Sequence, residues 1–334
     1  MGSGDSLGRL DLNLLVSLAA LLEERSVSRA AERLRLSQPA LSASLSKLRR
    51  HFDDQLLSRH GNLYELTPLA VRLLEPVEMA LSSVRRVFDS ESDFDPSVST
   101  REFQIYGSDY GFATVGQVAS QLAAAEAPGV KFRFILHSTR IVEEAHDLLR
   151  TFDGLLIPHG HISGLGNDDL WNDSWVILAD AQHPDLGENL SLADLASNPW
   201  VLAYQSKSAF TSADQQLKSL GIEFDVDVVV QSFLAIPFYV TRTRRLALVQ
   251  ASLLASIIKI PGLRVYRPPF EVVPVANALW WHQLHESDPG HQWMRSLFRR
   301  AGKEMQQGKW KIDMGSGVTD SVSDLLKGDL GEFQ

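Results

Sequence analysis

The residue types between Ser26 and Arg50 suit holding a polyanion, not making or breaking bonds. The run SQPALSASLSKLRR sets short polar groups (Gln38, Ser42, Ser44) ahead of cations (Lys47, Arg49, Arg50). A helix that is small and polar at its start and cationic at its end can enter the DNA major groove, with amides and hydroxyls on base edges and charges on phosphates. Two short helices must position these groups. Val27, Ala30, Ala31 and Leu34 share one face at helical spacing. Ser37 is an N-cap, and Pro39 sits in the next first turn, where a missing N–H costs nothing. Leu41, Leu45, Leu48 and Phe52 then form the buried stripe, leaving Gln38, Pro39, Ser42, Ala43, Ser46, Arg49 and Arg50 on the opposite arc. An ordinary helical hairpin with a solvated basic face would show the same periodicity. Charge distribution favours the DNA reading: the chain carries 32 Lys+Arg against 41 Asp+Glu, yet residues 26–60 hold seven Lys/Arg against three Asp/Glu. A basic island in an acidic protein is the electrostatic footprint of a DNA-binding module.

The following segment, LLSRHGNLYELT, carries a hairpin signal about Gly61-Asn62. A hairpin directly after such a helix is a wing, with Arg59 and His60 near its tip. Thr67-Pro68 opens another helix as N-cap and first residue. Leu69, Leu73, Val77, Ala80, Leu81, Val84 and Phe88 form its apolar stripe, about 30 Å long at 1.5 Å per residue, with Pro76 inside it to bend it. So long a stripe after so small a domain predicts contact with a partner chain; packing on its own domain is the alternative.

At 334 residues the chain can hold two or three domains with real cores. No apolar run approaches the length needed to cross a bilayer, and no secretory signal is read at the start, so a cytoplasmic protein off the membrane is expected. The absence of cysteine excludes a thiol redox sensor, a Cys-ligated metal and a cysteine nucleophile. Residues 89–100, DSESDFDPSVST, read as a linker. From Glu102 strands and helices alternate, as in an α/β architecture. Strands are expected at 103–106, 130–136, 154–157, 175–179, 200–203, 227–230, 246–250, 264–267 and 275–281. Helices are expected at 112–125, 141–150, 211–220, 234–241 and 290–300. Residues 309–334 are Gly-, Ser- and Asp-rich and read as a disordered tail.

Assembled, these pieces resemble a LysR-type transcriptional regulator over residues 10–308. The resemblance rests on Leu12 to Leu22, Ala30-Ala31-Glu32-Arg33-Leu34, Ser37-Gln38-Pro39-Ala40-Leu41-Ser42, Leu48-Arg49, Leu56-Leu57-Ser58-Arg59 and Leu66-Thr67. Asp11-Leu12-Asn13-Leu14-Leu15, Phe94-Asp95-Pro96, Ser99-Thr100-Arg101-Glu102-Phe103 and Asp288-Pro289-Gly290 are similar to one branch, the nodulation regulators and the salicylate- or nitroaromatic-responsive regulators. Two positions depart from the family pattern: Ala43 stands where many members have Arg, and Phe52-Asp53 where many have Leu-Gly. The resemblance implies an N-terminal winged helix-turn-helix (1–67), a long linker and dimerisation helix with hinge (68–99), and a two-lobed periplasmic-binding-protein-like effector domain (100–308). Lobe I would be 100–162 plus 275–308 and lobe II 172–270. The chain would cross between lobes near 163–172 and return near 270–275, both hinge-like by composition. It further implies a homodimer or homotetramer on promoter DNA, a small aromatic inducer, RNA polymerase as a further partner, and no cofactor.

Within that frame Gln38, Pro39 and Ser42 are expected at base edges. Ser28, Ser37, Ser44, Lys47, Arg49 and Arg59 would hold phosphates or support the dock. An open α/β cleft binds ligands where strand ends meet helix starts. Ser108, Asp109 and Tyr110 follow one strand, Gln205, Ser206, Lys207 and Ser208 a second, and Ser232 and Phe233 a third. Together they could hold a small carboxylate or phenolate, with Phe233 against an aromatic ring; ordinary helix capping is the alternative. An enzyme is the competing class. Gly164-Leu165-Gly166 lacks the third glycine of a dinucleotide loop, and Gly107-Ser108-Asp109-Tyr110-Gly111 has the wrong offsets for a nucleophile elbow. His159-Gly160-His161 and His282 to His285 lack metal-ligand spacing with a nearby carboxylate.

Overall fold

A computed structural model describes residues 11–60, 63–88, 94–203, 225–257 and 259–307, together with Lys218 and Gly221. The expected helix at 211–220 and the tail at 309–334 lie outside the described residues. Two compact units emerge, Met1–Glu91 and Ser92–Gln334.

The first unit is helical with a two-stranded wing. Helix α1 (Leu12–Glu24) starts on the Asp11 side chain, α2 (Val27–Leu34) on Ser26 and α3 (Gln38–Phe52) on Ser37, each cap oxygen accepting a first-turn amide. All three end on a left-handed residue: Arg25, Arg35 and Asp53, at φ of 48°, 55° and 49°. Asp53 thus adopts a conformation that glycine takes most readily, and aspartate is among the few other residues that tolerate it. The wing pairs β1 (Leu57–His60) with β2 (Leu63–Leu66) in antiparallel register, Leu57 opposite Leu66 and Arg59 opposite Tyr64. Helix α4 (Pro68–Phe88) follows, capped by the Thr67 hydroxyl. The core is Leu18, Leu21 and Leu22 of α1, Ala30 and Ala31 of α2, Leu41, Leu45 and Leu48 of α3, Leu56 and Leu57. Leu56 is left-handed at φ 59° and fully buried. Burying its side chain contributes roughly 1.5–3 kcal/mol, enough to offset the ~1–2 kcal/mol of a left-handed residue.

The second unit contains two sheets of matching order. Strands β3 (Glu102–Gly107), β4 (Lys131–Leu136), β5 (Gly154–Pro158) and β6 (Gly166–Asp173) join β12 (Val275–Trp281) in the order β4-β3-β5-β12-β6. β3 is parallel to β4 and β5, and β12 is antiparallel to β5 and β6. In lobe II, β7 (Trp175–Asp180) lies between β10 (Ala247–Gln250) and β11 (Leu263–Tyr266), while β8 (Pro199–Ala203) pairs with β9 (Asp225–Val230). Leu246 joins the two pieces through Pro199 O at 2.8 Å and the Val201 amide at 2.9 Å. The strands therefore line up as β9-β8-β10-β7-β11, repeating the lobe I order with an antiparallel strand fourth. One buried apolar cluster runs from Phe103, Ile105 and Leu279 to Leu178, Val201 and Val249.

Two expectations change here. Most of 163–172, expected as a hinge loop, is strand β6, hydrogen-bonded along β12. Gly166 serves close packing, since a Cβ there would lie 2.7 Å from Trp281 Nε1. The helix expected from 112 begins at Asp109: helix α5 comprises Asp109–Gly111, a π-helical turn Phe112–Gly116 and Gln117–Glu126. The closing helix α6 (Pro289–Gln306) is capped by Asp288 and lies on β6, where Gly302 permits close approach to Leu170.

Candidate nucleic-acid interface and effector domain

Leu41, Leu45 and Leu48 root α3 in the core, which fixes its rotation and leaves Gln38, Pro39, Ser42, Ala43, Ser46, Lys47 and Arg50 exposed. Among the described residues, no carboxylate pairs with Lys47 or Arg50. The other cations are less available than the sequence suggests. Arg33 pairs with Glu23 and with Glu24 at 3.5 Å, and Arg29 meets Glu24 at 3.5 Å. Both acids lie just outside the basic window, so its net charge overstates the free cationic surface.

Arg49, expected on phosphate, is half-buried and braces the wing: Nε donates to Gln55 O at 2.8 Å and Nη2 to Leu57 O at 3.0 Å. Ser37 serves as cap, and the Ser44 hydroxyl donates to Ala40 O one turn back at 3.3 Å. Ser28 is exposed on α2. The Arg59 side chain lies outside the described residues. Asp54, which sequence reasoning passed over, ties three elements together. Its Oδ1 accepts from the Leu56 amide at 2.6 Å and from the Thr67 hydroxyl at 2.7 Å, and these bonds, Thr67 first, hold its carboxyl below the ordinary value. An Asp just past a helix and a Thr before a Pro were visible signals; their pairing was not.

The α4 stripe also departs from expectation. Ala70 and Val77 are buried, and Leu73, Leu74 and Leu81 pack against the same core, so much of the stripe is used by its own unit. Val71 is 54% exposed.

In the effector domain, Asp109, Tyr110, Ser232 and Phe233 do come together, but on one another. Asp109 Oδ1 accepts from the amides of Tyr110 at 3.0 Å and Phe233 at 3.1 Å. Its Oδ2 accepts from the Ser232 hydroxyl at 2.6 Å and the Leu234 amide at 3.0 Å. Tyr110 is 2% exposed; its hydroxyl donates to Asp173 Oδ2 at 2.7 Å and accepts from Asn277 Nδ2 at 3.0 Å. Asp173 also receives the hydroxyl of Ser252 and its amide at 3.2 Å. Burial raises both the Tyr110 phenol and the Asp173 carboxyl above their ordinary values, and the neighbouring Asp173 pushes Tyr110 further. Phe233 is core, and Ser108 caps Gly111 at 3.2 Å. Gln205, Ser206, Lys207 and Ser208 lie outside the described residues. His137, close by, is held neutral, pushed down to about 4 by burial and then by His161. Of the histidines that invited a metal reading, His159 meets Asp169 at 2.6 Å and His285 meets Leu149 O at 3.0 Å.

The branch-like motifs converge as well. Arg101 bridges Asp153 at 3.2 Å and Asp288 at 2.8 Å, with its guanidinium 4.6 Å above the Phe103 ring. Phe94 packs on Trp293, and a Cβ on Gly290 would lie 2.6 Å from Arg101 Nη1.

Comparison with known proteins agrees with both units. Residues 12–71 match the family model described as a bacterial regulatory helix-turn-helix protein of the LysR family. Residues 121–303 match the LysR substrate binding domain. The nodulation protein D 2 of Rhizobium tropici is 33% identical over 291 residues, 86% of this chain and 91% of that protein. A nodulation protein D 1 of Bradyrhizobium diazoefficiens is 31% identical, over 90% of this chain and 95% of its own length. Among solved structures, a probable transcriptional regulator of Pseudomonas aeruginosa superposes with a TM-score of 0.72 at 27% identity, covering 88% of this chain and 98% of that one. The LysR family regulator CbnR shares the fold at 17% identity, with a TM-score of 0.65 over 88% of this chain and 99% of its own. No described helix is long and apolar enough to cross a membrane. A winged helix-turn-helix with a groove-ready α3, joined in one chain to a two-lobed α/β effector domain and matched along its length, places this protein in the LysR family of DNA-binding transcriptional regulators rather than among enzymes.

Proposed function

We propose that the protein reads promoter DNA with α3 as a two-fold homodimer, further paired into a tetramer, and that a small aromatic inducer held between the lobes switches it. Gln38, Pro39 and Ser42 lie toward base edges. Lys47 and Arg50, with Arg59 from the wing and Ser28 from α2, lie toward phosphates. The observation that carries this reading is the exposed polar and cationic arc of α3, held at fixed rotation by three buried leucines. One recognition helix reads only a few base pairs, so a spaced inverted repeat bound by a dimer is the expected operator. Helix α4 carries the dimer seam. Val71→Asp tests it without entering the core, whereas Val77→Asp would unfold the unit. RNA polymerase is the partner through which such a complex would act.

Support for an aromatic inducer is the branch likeness to the nodulation D proteins and the motifs Phe94-Asp95-Pro96 and Asp288-Pro289-Gly290. Gln205 to Ser208, with Lys207 as anion anchor, remain the proposed polar contacts. Operator selection from random duplexes, followed by binding of Gln38→Ala, tests the DNA reading: loss confined to one base position supports it, and equal loss on specific and random DNA refutes it. A thermal-shift screen of aromatic acids and phenols tests the inducer. Stabilisation only by non-aromatic compounds refutes that class.

A further inference from the structure

Two neighbouring residues at the start of α5 reach lobe II in different ways. Asp109 lies at the partly exposed edge between the lobes. Its carboxylate takes three donors from lobe II, two of them backbone amides, and its fourth donor is its own neighbour's amide. The Ser232 hydroxyl is itself held, accepting from the Ala235 amide at 3.1 Å. Tyr110, by contrast, is sunk in a polar network at the strand crossing. Asp173 ends β6, with Ser174 alone between it and β7, Asn277 lies on β12, and Ser252 follows β10.

We propose that Asp109 is a latch that holds lobe I on lobe II without any ligand, and that the Tyr110–Asp173–Ser252–Asn277 network beside it is the pivot about which the lobes open. Two features separate the two parts, and a third marks the segment that carries both. The latch is solvent-reachable, so water can replace its donors, whereas the pivot is buried and breaking it would strand a tyrosine hydroxyl and a carboxylate away from water. The latch joins segments 123–125 positions apart with no covalent neighbour between the lobes, while Asp173 sits on the crossing strand itself. The π-helical turn Phe112–Gly116 begins after Gly111, just beyond both residues, and such turns inside helices recur at functional sites. The latch sets the ligand-free balance between closed and open lobes, and an inducer acts against or with that balance. It stands on the geometry of this domain alone and does not depend on the inducer's identity.

The absence of cysteine permits a clean test on the full chain. Nitroxides on Ala124→Cys in α5 and Glu188→Cys in lobe II report the inter-lobe distance, with labelled chains diluted in unlabelled ones to remove inter-subunit signals. Hydrogen exchange at the Phe233 and Leu234 amides reports the latch directly. In Asp109→Ala, and in the near-isosteric Asp109→Asn, those amides exchange at least about tenfold faster and the distance distribution broadens toward longer values. Tyr110→Phe leaves exchange at 233 and 234 near the wild-type rate. Unchanged exchange and distances in both Asp109 variants overturn the latch. Lobe opening by Tyr110→Phe equal to that of Asp109→Ala overturns its separation from the pivot.

Discussion

Arg49 offers the sharpest test of how the DNA-binding unit divides its cations. Its position on the polar arc of α3 suggests a phosphate contact, but its Nε and Nη2 hold the carbonyls of Gln55 and Leu57 at the base of the wing. A hydrogen bond from a charged donor contributes roughly 1.5–3 kcal/mol when buried, so two such bonds at a half-buried site come to about 2 kcal/mol. Arg49→Ala should therefore speed hydrogen exchange across the wing, residues 57–66, by about 30-fold, since each 1.4 kcal/mol is a factor of ten. DNA affinity should fall on every sequence as the wing loosens, with the salt dependence unchanged. Lys47→Ala and Arg50→Ala should do the reverse. Each leaves wing exchange alone and reduces the slope of log K against log salt by about 0.9 per protomer, which is about 3.5-fold in affinity between 50 and 200 mM. Fluorescence anisotropy on a labelled operator across that salt range gives the slopes. If Arg49→Ala flattened the slope as Lys47→Ala does and left the wing amides protected, the guanidinium would be on a phosphate and the bracing argument would be wrong.

Three further outcomes follow from packing and charge. Gly302→Ala puts a Cβ 2.5 Å from the Leu170 carbonyl oxygen, a backbone atom that cannot step aside; a loss of roughly 1–3 kcal/mol is expected, read as a lower effector-domain melting temperature with DNA binding by α3 intact at low temperature. Arg101→Met removes the cation between Asp153 and Asp288 and should cost roughly 3–5 kcal/mol by leaving both acids unpaired. Burial alone would raise the Asp288 carboxyl, but Arg101 outweighs it and holds the group below its ordinary value. A depressed folded-state pKa contributes stability above the ordinary carboxylate range that is lost as pH falls through the folded value, so acid unfolding of the wild type should lose this component in Arg101→Met; an unchanged pH profile would refute it. Thr67→Ala deletes the α4 cap and one partner of Asp54, for a loss of about 1–2 kcal/mol, and the Asp54 carboxyl should titrate higher by NMR.

The DNA-binding unit was legible because its information is local. Caps at Ser37 and Thr67, the spacing of Leu41, Leu45 and Leu48, and the pairing of the two short wing strands each act within a few residues, and local rules recover them. The errors there come from partners beyond the window. Glu23 and Glu24 neutralise Arg33 and Arg29 from the end of α1, and α1 covers much of the α4 stripe although residues 25–67 separate the two helices. An amphipathic helix shows that it must be covered, not by what.

The effector domain makes the same point with polar groups. Strand positions were readable because a buried β-strand announces itself as a short apolar run, as in Phe103–Tyr106 and Trp175–Ala179. Segment 166–173 escaped because its sequence, GNDDLWND, is polar where β6 faces solvent and apolar only at Leu170 and Trp171. Ser108, Asp109, Tyr110, Ser232 and Phe233 were singled out as groups at strand ends and helix starts, a rule that finds unsatisfied donors and acceptors without saying what satisfies them. A free ligand and a distant side chain solve the same hydrogen-bonding problem. Here Asp109 supplies the acceptor for the turn at Ser232–Leu234, and Tyr110 supplies the donor for Asp173. Among the described residues, those at 109, 110, 232 and 233 that look like ligand contacts in the sequence are therefore contacts within the domain itself. An inducer bound between the lobes, as proposed, would have to compete with these hydrogen bonds or leave them in place.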